Sequence, residues 1–278
     1  MILVTGATGT IGSHVVRLLT ERDVPFRAMS RTPTDLPNKV QADFTDPASL
    51  ATVVTGVDTI FLVTVPPVPS PTHDLALLKA AKAAGVTKIV KLSAIGTGER
   101  LDGAVVGAWH LAAERAIENS GLAWTVLRPT SFASNFLQYR DLINANEPIP
   151  NMLGSAKQAV VDPRDVAEVA AATLVDDTHN GQRYDLTGPE LLTFEDQAAI
   201  LENVLNRQVK TVTVDARTHL ETVGMPPESI EAVAIGTGWA RAGGAAYVTD
   251  QVSRILSRPA KGFEQWATDH QTHYNVMR

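Results

Sequence analysis

The residues best spaced for chemistry stand at the start of the chain, in Gly6-Ala7-Thr8-Gly9-Thr10-Ile11-Gly12, directly after the apolar run Ile2-Leu3-Val4-Thr5. The first glycine lets a strand turn sharply, the second lets backbone amides approach a pyrophosphate, and the third lets the next helix pack close to the sheet. A helix N-terminus at that point adds positive partial charge. Gly6, Thr8, Gly9, Thr10, Ile11 and Gly12 are therefore read as a dinucleotide cradle, the alternative being a glycine-rich turn that holds nothing. An acidic side chain at the end of the second strand would take the ribose hydroxyls of NAD, but the chain has Met29-Ser30-Arg31-Thr32 there. The planar guanidinium of Arg31 suits a 2′-phosphate, which predicts NADP(H) as the preferred cofactor and leaves NAD(H) open. A solvated loop arginine is the other reading. In Ala42-Asp43-Phe44, Asp43 either accepts from the adenine amino group or starts a turn, with Phe44 beside it. Thr64, Val65 and Pro66, followed by Pro67, either run along the dinucleotide or simply stop a strand.

These residues need strands that end beside them and helices that begin beside them. Short β-branched runs alternate with alanine- and leucine-rich stretches through the first half, the pattern of βαβ units. Strands are predicted at Ile2–Thr5, Pro25–Ser30, Val40–Ala42, Thr59–Val65, Lys88–Leu92 and Trp124–Leu127. Helices are predicted near Ile11–Glu21, Pro47–Val54, Thr72–Ala84, Ala104–Ser120 and Phe132–Leu142. Asp46-Pro47 and Asp162-Pro163 place a capping side chain before a first-turn proline, the latter ahead of an apolar core helix at Val166–Val175. The fold class is α/β, a Rossmann doubly wound parallel sheet with helices on both faces.

From about residue 144 the alternation is lost. Gly181–Gly188 and Gln208–Val214 read as strands, and Thr193–Leu205 and Phe263–His270 as helices. The expected division is a dinucleotide-binding domain over residues 1–143, with a return over about 159–188, and a smaller α+β substrate lobe over 144–278. That lobe is expected over the carboxyl edge of the sheet, where open α/β sheets hold ligands.

Composition narrows the chemistry. The 278 residues are 44% hydrophobic and 19% charged, which excludes disordered and collagen-like classes. With no cysteine, thiolate nucleophiles, disulfides and cysteine-bound metals are excluded. A formal charge of −6 without a basic run argues against nucleic acid as the main ligand. No window reaches the roughly 20 apolar residues of a membrane span, so no membrane partner is expected. A strand starting right after Met1 leaves no room for a leader, so the expected location is cytoplasmic. His270 and His273 share helical spacing but lack a third ligand motif, so no metal is expected. Hydrolase and nucleoside-triphosphatase motifs are absent.

Thr5–Gly12, Ala42–Pro47, Lys91-Leu92-Ser93 and Ser120–Pro129 together resemble the NmrA-like branch of the atypical short-chain dehydrogenase/reductases, which includes NAD(P)H:quinone oxidoreductases. Val161–Ala167, Leu186–Glu190 and Gly262–Ala267 extend the resemblance over nearly the whole chain. It implies a Rossmann domain with a C-terminal lobe and binding of NADP(H) or NAD(H). Activity varies among such proteins: some reduce quinones, azo dyes or phenylpropanoid double bonds, and others only sense the cofactor.

Short-chain reductases generally use a tyrosine followed four residues later by lysine. Tyr139, Tyr184, Tyr247 and Tyr274 are followed at that distance by Ile143, Gly188, Gln251 and Arg278. By resemblance, His110 stands at the lysine position and Val106 at the tyrosine position. His110 is then the candidate polar group near the nicotinamide, able to donate a hydrogen bond and to titrate near neutral pH, or a helix histidine bonded to its neighbours. Ser93 resembles the family's hydroxyl beside the substrate, or caps its strand. Glu114, four residues after His110, either orients the imidazole or meets solvent. After the sixth strand, Thr130, Phe132 and Asn135 are candidate substrate contacts, with Phe132 covering the nicotinamide and Asn135 bonding substrate or capping the next helix. Met152, Trp109 and Trp239 are further candidates for the pocket wall.

The expected function is NADPH-dependent transfer of hydride to a small apolar acceptor such as a quinone or enone. Two alternatives remain: a non-catalytic cofactor sensor that binds a protein partner, and a non-redox tailoring enzyme for isomerisation, dehydration or cyclisation. A small-molecule substrate is expected, and a homodimer is left open.

Overall fold

A computed structural model describes residues 1–274; Arg278, four after Tyr274, lies outside the described residues. Contacts divide the chain into two units, each assembled from discontinuous segments. The first holds Met1–Thr97, Ala108–Arg128 and Val166–Tyr184, and the second Gly98–Gly107, Pro129–Asp165 and Asp185–Arg278.

In the first unit, β1 (Ile2–Val4), β2 (Phe26–Ser30), β3 (Lys39–Gln41), β4 (Thr59–Leu62) and β5 (Lys88–Leu92) alternate with α1 (Thr10–Glu21), α2 (Pro47–Val53) and α3 (Thr72–Ala84). The hairpin strands β6 (Arg100–Leu101) and β7 (Ala104–Val105) come next, then α4 (Ala108–Glu118) and β8 (Ala123–Pro129). Farther along are α5 (Arg140–Asn144), β9 (Ile149–Asn151), α6 (Pro163–Val175) and β10 (Gln182–Leu186). The seven-stranded sheet has the order β10-β8-β5-β4-β1-β2-β3, and β1 pairs in parallel with both β2 and β4. The chain thus reverses direction across the sheet between β1 and β4, so the loops leaving these two strands flank the crevice where such sheets bind ligands. Ile2, Leu3 and Val4 are all buried, as expected of a parallel strand covered on both faces. α1 buries Ile11, Val15 and Leu19 along one stripe, α2 starts on Asp46, whose side chain accepts from Ala48 N, and Asp162 Oδ1 accepts from Arg164 N at the start of α6.

The second unit contains α7 (Phe194–Leu205), β11 (Thr211–Thr213), α8 (Ala216–Thr222), α9 (Pro227–Arg241), α10 (Gln251–Leu256) and α11 (Phe263–His270). Its core gathers Phe136, Tyr139, Phe194, Phe263 and Trp266. Thr193 and Asp196 form a capping box at the start of α7.

Three expectations are revised. The helix placed at Ala104–Ser120 begins at Ala108, because Arg100–Val105 folds as a hairpin on Asp102-Gly103, both at positive φ. Phe132–Leu142 is a 3-10 helix over Ala133–Tyr139 that passes into α5. The chain first visits the second unit at Gly98–Gly107 and crosses to it again after Arg128 rather than near residue 143, since Ala133, Phe136, Tyr139 and Ile143 all join the aromatic core of that unit. No helix among the described residues is long and apolar enough to cross a membrane.

Candidate functional site

Thr5 ties together the ends of the two strands at the crevice. Its hydroxyl donates to Phe61 O and Val63 O and accepts from Val63 N at 2.8 Å. Gly6 follows at φ +59°, a conformation costly for any other residue. A Cβ on Gly12 would lie 2.1 Å from the Gly6 carbonyl oxygen, so this helix turn fits against the loop only as glycine. Gly9 caps α1 with no side-chain hydrogen bond, which leaves the first-turn amides to another acceptor. Thr8, Gly9 and Thr10 are exposed, while Ile11 and Gly12 are buried beneath them. The sequence-predicted cradle is thereby brought together, and its shape and uncapped amides fit a pyrophosphate.

Arg31 is exposed at the end of β2, and its carbonyl accepts from Gln41 Nε2 at 3.0 Å. Asp43 starts a turn: Oδ1 accepts from Thr45 N at 2.8 Å and Thr45 Oγ1 at 2.7 Å. Those bonds hold its carboxyl below the usual range, with Arg31 and His73 adding to the effect. Phe44 stacks on His73 with ring centres 5.2 Å apart. β4 ends at Leu62 rather than Val65, and the Thr64 hydroxyl donates to Asp74 Oδ2 at 2.7 Å. Val65 is 89% exposed and Pro66 is half-buried.

Below this rim lie charges that sequence reasoning missed. Lys91 is fully buried, with Nζ 2.8 Å from Asp74 Oδ1 and 2.8 Å from Leu92 O. The Ser93 hydroxyl donates to Glu114 Oε1, which also accepts from Arg128 Nε at 3.1 Å. Glu114 therefore neither orients His110 nor meets solvent: it is buried between Ser93 and Arg128. Ser93's proton is committed to that carboxylate. The available signal was a lysine or arginine inside Lys88–Leu92 and Ala123–Pro129, strands otherwise buried on both faces, where a charge requires a partner.

His110 is half-buried against Trp109, with ring centres 4.8 Å apart. Its Nδ1 is buried and lacks a hydrogen-bond partner among the described residues. Burial, reinforced by the charges of Lys91 and Arg128, pushes its pKa down to about 3. This corrects the expectation of titration near neutral pH, because the imidazole is neutral throughout that range. Val106, expected by resemblance at the tyrosine position, is buried and belongs to the second unit.

Within the second unit, Phe132 and Asn135 line a cavity of about 260 Å³ that Phe136, Met152 and Phe194 also border. Asn135 donates to Ser131 Oγ and does not cap a helix; Phe132 takes the N-cap of the 3-10 turn. Thr130 does not border the cavity, but its hydroxyl is buried without a partner among the described residues. Neither Trp109 nor Trp239 borders it. Trp239 instead covers Gly244, where a Cβ would lie 2.2 Å from the indole, and its neighbours Gly236 and Ala240 face the cavity. The rings of His270 and His273 lie 5.5 Å apart, and His270 Nδ1 is paired with Trp266 O. Among the described residues no group of three candidate ligands could hold a metal ion.

The family described as NAD(P)H-binding matches residues 6–177. The chain is similar to (4-alkanoyl-5-oxo-2,5-dihydrofuran-3-yl)methyl phosphate reductase of Streptomyces griseus, at 36% identity over 97% of this chain and 98% of the relative. It is also similar to the NAD(P)H azoreductase of Xenophilus azovorans, at 35% identity over 97% of this chain and 98% of the relative. Among solved structures, an NADPH complex of the NADPH-dependent quinone oxidoreductase of Escherichia coli aligns with a TM-score of 0.84 at 25% identity, covering 97% of this chain and 99% of that one.

Proposed function

Because the chain belongs to the NAD(P)H-binding family, among the NmrA-like atypical short-chain reductases, and is an NAD(P)H-dependent oxidoreductase, we propose that it reduces a small, conjugated, apolar acceptor such as a quinone or enone with NADPH. The observation that carries this reading is the uncapped start of α1 behind a glycine turn in which Gly12 has no room for a side chain. Bound NADPH supplies a hydride.

The chain's own residues divide the remaining work. The amides of Thr10, Ile11 and Gly12, with the hydroxyls of Thr8 and Thr10, hold the pyrophosphate, while the Gly9 amide closes the turn onto Gly6 O. Arg31 pairs with the 2′-phosphate, with no carboxylate at the end of β2 to favour NAD. Asp43, fixed by Thr45, and Phe44, stacked on His73, form the adenine end. Asp74 holds Thr64 and so sets the path of Val65 and Pro66 along the nicotinamide half. Ser93, its proton given to Glu114, offers only lone pairs and accepts a hydrogen bond. His110, neutral with a buried Nδ1, hydrogen-bonds cofactor or acceptor oxygen without changing charge. Phe132 and Asn135, which border the cavity, hold the acceptor.

The neutral His110 and the missing tyrosine–lysine pair support a conjugated acceptor in particular. A reduced quinone or enone spreads its negative charge over the conjugated system and takes its proton from water, so no side chain titrating near neutrality is needed. The test is acceptor-dependent oxidation of NADPH against NADH, with quinones and enones set beside saturated ketones. Turnover with the conjugated set and NADPH supports the reading. Turnover confined to saturated ketones contradicts it.

A further inference from the structure

The cavity in the second unit has a chemical character sharper than "apolar acceptor". Five of its walls are carbon-rich: Phe132, Phe136, Met152, Phe194 and Val160. Phe136 sits at the junction of these rings, stacked on Phe194 at 5.0 Å and 28°. The polar atoms facing it come from amides and hydroxyls, chiefly Gln158, Gln197 and Asn135. Among the described residues no lysine, arginine, histidine, aspartate or glutamate borders it. Its one titratable group, Tyr139, is held in the neutral phenol form because burial raises its pKa.

The two glutamines are built for neutral recognition. Gln197 is buried and its Nε2 donates to Thr193 O at 3.1 Å, which fixes the amide and aims it. Gln158 is buried and its backbone is clamped to Leu192 by two hydrogen bonds of 2.9 and 3.0 Å, while its side chain makes no hydrogen bond among the described residues. A carboxamide that opens onto the cavity without a protein partner favours a ligand carbonyl or ring nitrogen that bonds it. An anionic group entering the same space would give up part of its water to a wall that offers no cation among the described residues, which disfavours it against an uncharged group. The volume also limits the ligand: about 260 Å³ exceeds the roughly 150 Å³ that accepts one benzene ring, which points to a compact one- or two-ring molecule.

The geometry points to this cavity as a binding site for a flat, uncharged one- or two-ring carbonyl compound, selective against phosphate- or sulfonate-bearing analogues. Its role as the acceptor site rests on the reductase reading; the binding itself does not. The selectivity sets this chain apart from its Streptomyces griseus relative, whose named substrate carries a phosphate.

The test pairs a naphthoquinone with its monosulfonate and adds naphthol, which cannot accept hydride, as a binding probe measured by calorimetry. Gly236 borders the cavity and a Cβ there meets nothing within 4 Å, so Gly236→Leu fills space without a clash. Naphthol should bind the wild-type chain and bind Gly236→Leu about tenfold or more weakly, and the parent quinone should exceed its sulfonate about tenfold or more in kcat/KM. If Gly236→Leu does not fold, as judged by circular dichroism, Asn135→Lys at an exposed wall position serves instead and should raise use of the sulfonate several-fold. Equal use of quinone and sulfonate by the wild type, or naphthol binding untouched by Gly236→Leu, overturns the assignment. If naphthol binds as expected while no acceptor is reduced, the cavity assignment stands and the reductase reading falls.

Discussion

The strand ends of the first unit and the cavity of the second treat polar groups in opposite ways, although the second unit also buries Asp162 and Asp165 in ion pairs away from the cavity. Under the strand ends, Lys91 and Asp74 pair out of reach of water, and buried Glu114 pairs with the partly exposed Arg128. The cavity of the second is edged by aromatic rings, amides and one phenol, with no full charge. The difference matches what the proposed reaction would ask each end to hold. A dinucleotide carries phosphates and needs a rigid backbone frame, which buried ion pairs fasten in one geometry. A conjugated acceptor carries no charge and needs a dry, flat space.

If the buried charges fasten the first unit, removing one partner has the largest effect. Lys91→Met leaves Asp74 uncompensated and should cost about 3–5 kcal/mol in denaturant unfolding, and adding Asp74→Leu should recover most of it. A loss confined to Lys91→Met and absent from an equally conservative cavity change, such as Met152→Leu, would support the contrast; equal losses would erase it.

Next in size is the glycine frame. Gly12→Val forces a side chain to within 2.1 Å of the Gly6 carbonyl, and titration should show NADPH affinity falling about a hundredfold, near 3 kcal/mol. Arg31→Ala should weaken NADPH by about 1.5–3 kcal/mol and leave NADH almost unchanged. Equal losses for both cofactors would remove Arg31 from the 2′-phosphate.

The effect of His110 is absent near neutral pH and appears only in acid. Its pKa is about 3 in the folded chain against the ordinary 6.5, so unfolding takes up a proton between those values. Stability should be full above pH 6.5 and fall by up to about 1.4 kcal/mol per pH unit on acidification toward 3. His110→Gln should flatten that slope in acid unfolding curves, and an unchanged slope would mean that the imidazole is not held neutral by burial.

How much of this was readable beforehand follows from how each feature is encoded. The cradle at Gly6–Gly12 and the strand Lys88–Leu92 were readable because each is local: a turn that only glycine permits, a strand whose apolar run is continuous. The Asp102-Gly103 hairpin was equally local and carried a recognisable turn dipeptide, but the alanines after it suggested an earlier helix start. Glu114 shows the opposite case. Helical spacing placed it near His110, and only tertiary packing reveals that Ser93 and Arg128 claim its oxygens. The cavity was the least readable, since Phe132, Met152, Phe194 and Gly236 come from separate elements with no periodic signal linking them. Phe132, Asn135 and Met152, expected near a substrate, border this cavity, whereas Trp239 does not and Gly236 and Ala240 of its helix do.

The most direct measurement is kcat/KM for quinone reduction by NADPH across about pH 5.5 to 8.5, for the natural chain and His110→Ala, following absorbance of the reduced nicotinamide. The account predicts robust acceptor-dependent turnover with a flat profile in both, at most lowered uniformly in the variant. A bell-shaped profile with an inflection near neutrality that vanishes in His110→Ala would contradict the neutral imidazole. No acceptor-dependent oxidation, in a sample shown to bind NADPH, would contradict the proposed reaction itself.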